Sequence, residues 1–265
     1  MNKKVLPAII GVILVVLVGG IFAVKNMNTT EAPVEDKSLK KRKISEPVNV
    51  IELSQRPFIM VQPNSDGRNL TVMVDSLKKD ATELDYELEY KSGSLQQGVF
   101  GSLSLATVPA SVKQLMGSCS AGGACTYHED VTGGSLVTRF VGPENYALKT
   151  EWRYIQNTQK ETEIGSTDAK FQLESEALGN VKIAIIGDAS GLPQEVEGTV
   201  VSAPYYVSTI PAVSGTAQLT MRASEEGDLK IMGWNGTEWT EFTGTVEGKS
   251  VTAQVELMQA YVVVK

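Results

Sequence analysis

The stretch LDYELEYK, Leu84–Lys91, alternates apolar and charged side chains along its whole length. In an extended chain Leu84, Tyr86, Leu88 and Tyr90 share one face, and acidic residues occupy the other. A period of two is typical of an antiparallel strand with one face in the core and one in water. The stretch therefore predicts an all-β fold.

Similar runs recur on both sides of this stretch, and Gly, Asn, Asp, Ser and Pro separate them at intervals of roughly ten residues. A polar segment, Asn157–Asp168, divides the runs into two sets. Short, evenly spaced strands with turn signals are typical of β-sandwiches. We therefore predict two Ig-like antiparallel β-sandwich domains, residues 48–156 and 157–265, with a single larger double sandwich as the alternative.

The predicted strands of the first set are Pro57–Gln62, Asn69–Ser76, Leu84–Lys91, Gly98–Leu105, Ser135–Val141 and Tyr146–Ile155. Those of the second set are Phe171–Glu174, Val181–Asp188, Tyr205–Ile210, Thr216–Ala223, Leu229–Trp234, Ser250–Leu257 and Tyr261–Val264. The Asp-Gly pair in Ser65–Arg68 predicts a hairpin turn. A short helical turn is expected around Ser111–Met116.

The last segment, Gly233–Lys265, reads as strands joined by an Asn-Gly turn and a Glu-Gly turn. It resembles the closing hairpins of ZU5-like and Ig-like modules at the ends of bacterial envelope proteins. The residues that carry the resemblance are Trp234, Asn235, Gly236, Trp239, Val246, Val251–Val255 and Tyr261–Val263. The resemblance implies a β-sandwich for the second unit, and it carries no functional residues with it.

An uncharged run near the N-terminus, Val5–Val24, is long enough to cross a membrane. Twenty helical residues span about 30 Å, the thickness of the hydrocarbon core. We predict a short inside tail and a transmembrane anchor over residues 1–25, because the apolar region of a cleaved signal peptide, the alternative, is usually shorter, about 7–15 residues. Residues 26–47 are polar and predict a stalk. Its basic cluster, Lys40–Lys43, is expected to be solvated charge.

The charge balance of the globular part argues against one class of partner, nucleic acid. From Ile44 onward the chain has 16 Lys and Arg against 28 Asp and Glu, a net charge of −12. Nucleic-acid binding requires a basic surface, so nucleic acid is not an expected partner. An acidic domain beyond a membrane anchor suits export to the outside of the cell.

Both cysteines and the single histidine lie in one Gly-rich stretch, GSCSAGGACTYHED. Cys119 and Cys125 are too far apart in sequence for usual zinc-ligand spacing, and no second ligand pair is present. A nucleophile with His128 as its base would lack a third residue to orient the base. We favour a disulfide between Cys119 and Cys125 in an oxidising compartment over both of these readings.

The residues after the second cysteine form a candidate recognition loop, since binding residues often lie on loops held by a rigid scaffold. The candidates are Tyr127, His128, Glu129 and Asp130, with His128 expected at the surface. An ordinary loop with a solvated, charged end is the interpretation that we favour over a recognition role. Adjacent Tyr205 and Tyr206 predict one outward-facing ring, a second hint of binding.

Other sites have weaker signals. Ser190 follows an apolar run, but the nucleophile-elbow pattern around it is incomplete. The acidic residues Glu225, Glu226 and Asp228 are expected to form a solvated turn rather than a calcium site. No phosphate-binding loop is present in the sequence.

The sequence thus predicts a non-catalytic protein of the cell membrane, with a single pass, the N-terminus inside and most of the chain extracytoplasmic. Its expected role is binding, adhesion or scaffolding at the cell envelope, and its partner would be a surface protein or polysaccharide. No cofactor or metal is expected. The alternative is an envelope hydrolase with a carboxylate or serine site that the sequence does not reveal.

Overall fold

The computed structural model describes residues 44–265, which fold almost entirely into antiparallel strands. The strands are β1 Phe58–Pro63, β2 Asn69–Ser76, β3 Glu83–Ser92, β4 Leu95–Ser104, β5 Ala110–Leu115, β6 Gly117–Cys119, β7 Cys125–Tyr127, β8 Val131–Val141, β9 Tyr146–Gln156, β10 Glu163–Gly165, β11 Phe171–Glu174, β12 Ile183–Asp188, β13 Tyr205–Ile210, β14 Thr216–Arg222, β15 Lys230–Trp234, β16 Trp239–Phe242, β17 Thr245–Glu247, β18 Ser250–Glu256 and β19 Ala260–Val264. Two short 3-10 turns, Leu53–Gln55 and Glu176–Asn180, are the helical elements of this range. The all-β class is therefore confirmed.

The predicted anchor, Val5–Val24, and the predicted stalk up to residue 43 lie outside the described residues. Within residues 44–265, no helix has the length and apolar character needed to cross a membrane.

One large antiparallel sheet of nine strands organises residues 44–265. Its strand order is β16-β15-β19-β13-β12-β9-β8-β3-β4. Strands from the first half of the chain lie on one side of this order and strands from the second half on the other. They meet where β9 pairs with β12, with Arg153 opposite Ile186.

Each face of the nine-stranded sheet has its own hydrophobic core. A three-stranded sheet of order β1-β2-β5 contributes Phe58 and Leu70 to the first core. A five-stranded sheet of order β10-β11-β14-β18-β17 contributes Leu173 and Leu219 to the second core. The two smaller sheets therefore pack on opposite faces of the large one.

The structure differs from the expectation of two separate sandwiches, because both cores share the nine-stranded sheet. Strand β12 shows how the sheet is shared. Ile183 and Ile185 lie in the first core, and Ala184 and Ile186 lie in the second. A strand buried on both faces is a continuous apolar run rather than an alternating one, which explains the sequence of β12. The arrangement corresponds to the larger double sandwich that was the alternative.

The boundary expected at Asn157 falls on a buried, well-bonded residue. The Asn157 side-chain amide donates to the carbonyls of Glu161 and Leu178, and its oxygen accepts from the Glu161 N–H. Asn157 therefore ties a turn to the nine-stranded sheet and does not lie in an exposed linker.

The predicted strands are confirmed, and β2, β11 and β13 have the predicted bounds. The Asp-Gly turn joins β1 to β2, and the Asp66 carboxylate accepts from the backbone N–H groups of Arg68 and Asn69. The helical turn expected at Ser111–Met116 is wrong. Ala110–Leu115 instead forms β5, because this segment pairs along β2 and so gains a strand's hydrogen bonds.

Candidate functional site

The two cysteines close a short hairpin at one end of the large sheet. Strands β6 and β7 pair with Cys119 directly opposite Cys125. Their sulfur atoms lie 2.04 Å apart, as the predicted disulfide requires. Among residues 44–265, no group of three or more His, Cys, Asp and Glu side chains is arranged to hold a metal ion.

The hairpin is fastened to the core through His128. His128 Nδ1 and the hydroxyl of Tyr90 share a hydrogen bond of 2.9 Å, and Tyr90 is buried. The His128 backbone N–H also donates to the Met116 carbonyl. His128, expected at the surface, is partly exposed there. His128 is half-buried because the alternation of β3 directs the hydroxyl of Tyr90 toward it.

The neighbouring loop residues expose their side chains on a fixed backbone. Tyr127 is 39% exposed, and the Arg68 guanidinium lies 4.2 Å from its ring centroid, a cation–π contact. The Glu129 carbonyl accepts from the Ser92 hydroxyl, and the Asp130 carbonyl accepts from the Gly93 N–H. Tyr127, Glu129 and Asp130 thus form an exposed group held from two sides.

A second candidate site is a cavity of about 250 Å³ between β9, β12, β13 and the loop that joins β10 to β11. Three carboxylates line it, those of Glu151, Asp168 and Asp188, together with the side chains of Ser166 and Tyr205. Asp188 ends β12, where the continuous apolar run stops. The shared sheet thus brings Asp188, at the end of its central strand β12, next to Glu151 on β9 and Asp168 in the loop between β10 and β11.

Burial raises the pKa of the Asp188 carboxyl to about 6, and the negative charges of Glu151 and Asp168 add to the effect. The backbone N–H of Glu151 donates to Asp188 Oδ1 and offsets part of this increase. Asp188 therefore changes its charge near neutral pH.

Asp168 has the opposite shift. Burial favours its neutral form, but hydrogen bonds from Ser166, Tyr205 and Lys170 outweigh burial and lower the pKa of Asp168. The Tyr205 hydroxyl donates to Asp168 Oδ2 at 2.8 Å, and the Ser166 hydroxyl donates to Oδ1 at 2.6 Å. The cavity therefore holds two carboxylates with different affinities for a proton.

A larger groove of about 620 Å³ shares Ser166 with this cavity. It runs between the outward side of β9 and the hairpin of β10 and β11, with Arg153, Glu161 and Gln172 among its lining residues. The Arg153 guanidinium donates to the Gly165 carbonyl at 3.0 Å. The lining is mainly polar, which suits a ligand rich in hydroxyl groups.

Of the other predicted candidates, Tyr205 lines the smaller cavity, whereas Ser190 and Tyr206 are not among the lining residues of the cavity or the groove. Ser190 is 3% exposed, and its hydroxyl makes no hydrogen bond within the described part of the chain. Tyr205 and Tyr206 are both 2% exposed, so the expected outward ring is absent. Strand β13 has a core on each face, and the two rings enter different cores.

Sequence reasoning missed the cavity acids. Asp188 ends an apolar strand and Asp168 lies in the polar segment after β9, so the two are twenty positions apart in sequence. Their meeting depends on the packing of one sheet on another. The sequence signal that could have pointed to this cavity is Asp188, an ionisable residue that directly ends a continuous apolar run.

Comparison with family models, curated proteins and solved structures finds no match to this chain. The resemblance of Gly233–Lys265 to ZU5-like and Ig-like modules stays a prediction.

Proposed function

We propose that the chain is a single-pass membrane protein whose extracytoplasmic β region binds a partner at the cell envelope without catalysing a reaction. The observation that carries this proposal is the disulfide-closed hairpin, which is fixed to buried Tyr90 through His128 and leaves Tyr127 exposed. A rigid scaffold that displays an exposed aromatic residue among charges is typical of recognition surfaces.

Three features of the sequence support the proposed location. The uncharged run Val5–Val24 has the length of a membrane span. The region from Ile44 onward is strongly acidic. The cysteine pair suits an oxidising compartment. The N-terminus is then inside, and residues 44–265 face outward with a surface protein or polysaccharide as partner.

We also propose that residues 157–265 are the ZU5-like or Ig-like module of this protein. The Asn-Gly turn at Asn235 supports this assignment, since its side-chain oxygen accepts from the backbone N–H groups of Thr237 and Glu238. Tyr261 is buried in the second core, as the resemblance implies for a residue that closes a sandwich core, whereas Trp234 is buried in the first core.

The thiol state in intact cells tests the proposed location. Cells are alkylated before lysis, and the peptide containing Cys119 and Cys125 is then weighed. We expect an unalkylated peptide two hydrogens lighter than the dithiol. Alkylation of both cysteines would place the hairpin in a reducing compartment and contradict the proposal.

Loop substitutions test the proposed binding role. The full chain in detergent is mixed with insoluble envelope material from which the native protein has been removed, and the pelleted fraction is measured. We expect the double variant Tyr127→Ala, Glu129→Ala to pellet at least five-fold less than the parent chain. The control Ser214→Ala, Gln254→Ala changes exposed residues elsewhere and should pellet normally. Equal pelleting of all three proteins would remove the loop from the binding surface.

The acidic cavity favours a second candidate function, an envelope hydrolase. Two carboxyl groups with separated pKa values, Asp188 raised and Asp168 lowered, are the usual requirement for an acid and a base that act on one glycosidic bond. If the protein is such a hydrolase, envelope polysaccharide should release reducing ends, and Asp188→Asn should reduce that release at least a hundred-fold without changing the pelleted fraction. No release by the parent chain would leave the binding role.

A further inference from the structure

The turn between β15 and β16 contains Asn235, the one asparagine of the sequence that directly precedes a glycine. The four turn residues, Asn235–Glu238, are all exposed, and the flanking strands pair with Trp234 opposite Trp239. Gly236 has a φ of +103°, and nothing lies within 4 Å of the position that a Cβ would take. A side chain that folds toward the Gly236 backbone therefore meets no steric barrier there.

The Asn235 side chain does fold toward this backbone. Asn235 Oδ1 accepts hydrogen bonds from the Thr237 N–H at 2.8 Å, the Thr237 hydroxyl at 2.8 Å and the Glu238 N–H at 2.9 Å. The first of these hydrogen bonds closes an Asx turn, a ring of atoms that contains both Asn235 Cγ and the Gly236 nitrogen. The turn therefore keeps these two atoms near each other.

The hydrogen bonds of the turn also favour attack on Asn235 Cγ. Three donors converge on Oδ1, where negative charge develops when a nucleophile adds to Cγ, and donors in such positions stabilise that charge. Within residues 44–265, the Asn235 side-chain nitrogen and the Gly236 N–H donate no hydrogen bond. The leaving group and the nucleophile are therefore both free of bonds to the protein that would have to break before they react.

We propose that Asn235 loses its side-chain amide in a reaction that its own turn promotes. The Gly236 nitrogen attacks Asn235 Cγ, a new N–Cγ bond forms, and the Cγ–Nδ2 bond breaks. The proton of the Gly236 nitrogen leaves with Nδ2 as ammonia, and a cyclic imide remains. Water then hydrolyses the imide at either carbonyl and gives aspartate or isoaspartate. Water is the only co-reactant, no electrons are transferred, and the proposal does not depend on the proposed function.

An Asp-Gly turn elsewhere in the chain shows why the amide is needed. Asp66 also precedes a glycine and accepts from the N–H groups of Arg68 and Asn69. Desolvation opposes ionisation of Asp66, but its hydrogen bonds outweigh desolvation and lower its pKa to about 2. At neutral pH the group is a carboxylate, which resists attack because it already carries negative charge and has no neutral leaving group. We therefore expect Asp66 to stay unchanged.

The products change the turn and the strand that follows it. Each product adds a negative charge to a region that carries −12 from Ile44 onward. Isoaspartate also lengthens the main chain between β15 and β16 by one methylene group. Because loop length sets the register of a hairpin, this product should loosen the pairing that holds the Trp239 ring 5.4 Å from the Trp234 ring. Aspartate keeps an oxygen that accepts the same hydrogen bonds and should preserve the pairing.

Peptide mapping of the folded full chain in detergent, during incubation at mildly alkaline pH, tests the proposal. Mass spectrometry follows the conversion of the peptide that contains Asn235 from amide to acid, and chromatography separates the two products. We expect both products, and we expect Asn235 to convert at least ten-fold faster than any other asparagine of residues 44–265. Gly236→Ala should slow the conversion at least ten-fold, because its methyl group hinders the attack. The control Gly248→Ala adds a methyl group at another turn glycine, with a φ of +60°, and should convert within about two-fold of the parent rate.

The variant Thr237→Val tests the part played by the turn. It removes the hydroxyl donor to Oδ1 and keeps the backbone donors, so the rate should fall at least three-fold. An unchanged rate in this variant would overturn the proposal that the turn promotes the reaction. Asn235 that stays intact in the folded chain but converts in the urea-unfolded chain would also overturn it, since the fold would then protect the residue. Formation of aspartate without isoaspartate would show direct hydrolysis by water and exclude the cyclic imide.

Discussion

At the scale of the residue, the environment of a side chain decides its chemistry more than its type does. Asp66 and Asp188 both accept hydrogen bonds from backbone N–H groups. Asp66 lies at an exposed turn beside Lys113, and its hydrogen bonds outweigh desolvation and lower its pKa to about 2. Asp188 is largely buried beside other acids, so its pKa rises to about 6. Ionisation of Asp66 therefore stabilises the folded state, whereas ionisation of Asp188 destabilises it.

The pH dependence of stability should reveal Asp188. Its folded-state pKa of about 6 exceeds the ordinary value of 3.8, so the folded state binds this proton more tightly than the unfolded state does. The contribution of Asp188 to the free energy of unfolding is fully present below pH 4 and is lost as the pH rises through 6. At 1.36 kcal/mol per pKa unit, the loss is about 3 kcal/mol in total.

The substitution Asp188→Asn should remove that loss. We expect the variant to be more stable than the parent chain at pH 7.5 by up to about 3 kcal/mol and to show no such gain at pH 4, since the amide has no charge to bury. Urea denaturation across this pH range measures the difference, with Glu197→Gln, an exposed acid, as the control. The same pH slope in Asp188→Asn and in the parent chain would rule out the shift.

At the scale of the element, the neighbours of a strand decide what its sequence pattern means. Strand β3 alternates because one of its faces is open to solvent, and its pattern predicted its structure directly. Strand β13 is covered on both faces, so Tyr205 and Tyr206 are both buried although they are adjacent. The Tyr206 hydroxyl accepts from the Val61 N–H at 2.9 Å and thereby links β1 to the large sheet.

A bulge in β8 lies beside the end of β3, next to Tyr90, whose hydroxyl shares a hydrogen bond with His128. The register with β3 shifts between Lys91 and Ser92, opposite Gly133, whose φ is +119°. A Cβ at Gly133 would lie only 2.3 Å from the Trp152 carbonyl oxygen on β9. Only glycine allows three strands to approach each other in this way.

The substitution Gly133→Ala should therefore destabilise the fold by about 3 kcal/mol, because it adds a backbone clash to the strained dihedral. Gly236→Ala is a matched control. Its φ is +103°, but nothing lies within 4 Å of an added Cβ, so about 1–2 kcal/mol is expected from strain alone. Urea denaturation compares the two variants, and equal losses would show that the close approach to β9 has no cost.

At the scale of the whole molecule, the shared sheet couples the two cores. Unfolding either core exposes one face of β12, whose other face belongs to the second core. Neither core can therefore lose its sheet without disturbing the other, and the described region should unfold as one cooperative unit.

Paired core truncations test this coupling. Leu148→Ala lies in the first core and Leu219→Ala in the second, and both leucines are 0% exposed. Each variant should lose about 2–5 kcal/mol and shift one common transition to lower urea concentration. Tryptophan fluorescence and circular dichroism should report the same midpoint. Two transitions, of which each variant shifts only one, would show that the cores unfold independently.

The sequence by itself determined the strand content, most strand positions and the disulfide. These features depend on side-chain alternation, on turn residues and on cysteines near each other in the chain, all of which are local. The hairpin turn at Asp66 and the strand Leu84–Lys91 are examples, since each is specified by residues within a few positions of one another.

Only the tertiary structure decided that the two sandwiches share a sheet, that Tyr205 and Tyr206 are both buried, and that Asp168 meets Asp188. Each depends on which strands pair and which faces are covered, and such pairings join residues far apart in sequence. The sequence of β12 records its burial but not its neighbours, because an apolar face fits any apolar surface of suitable shape.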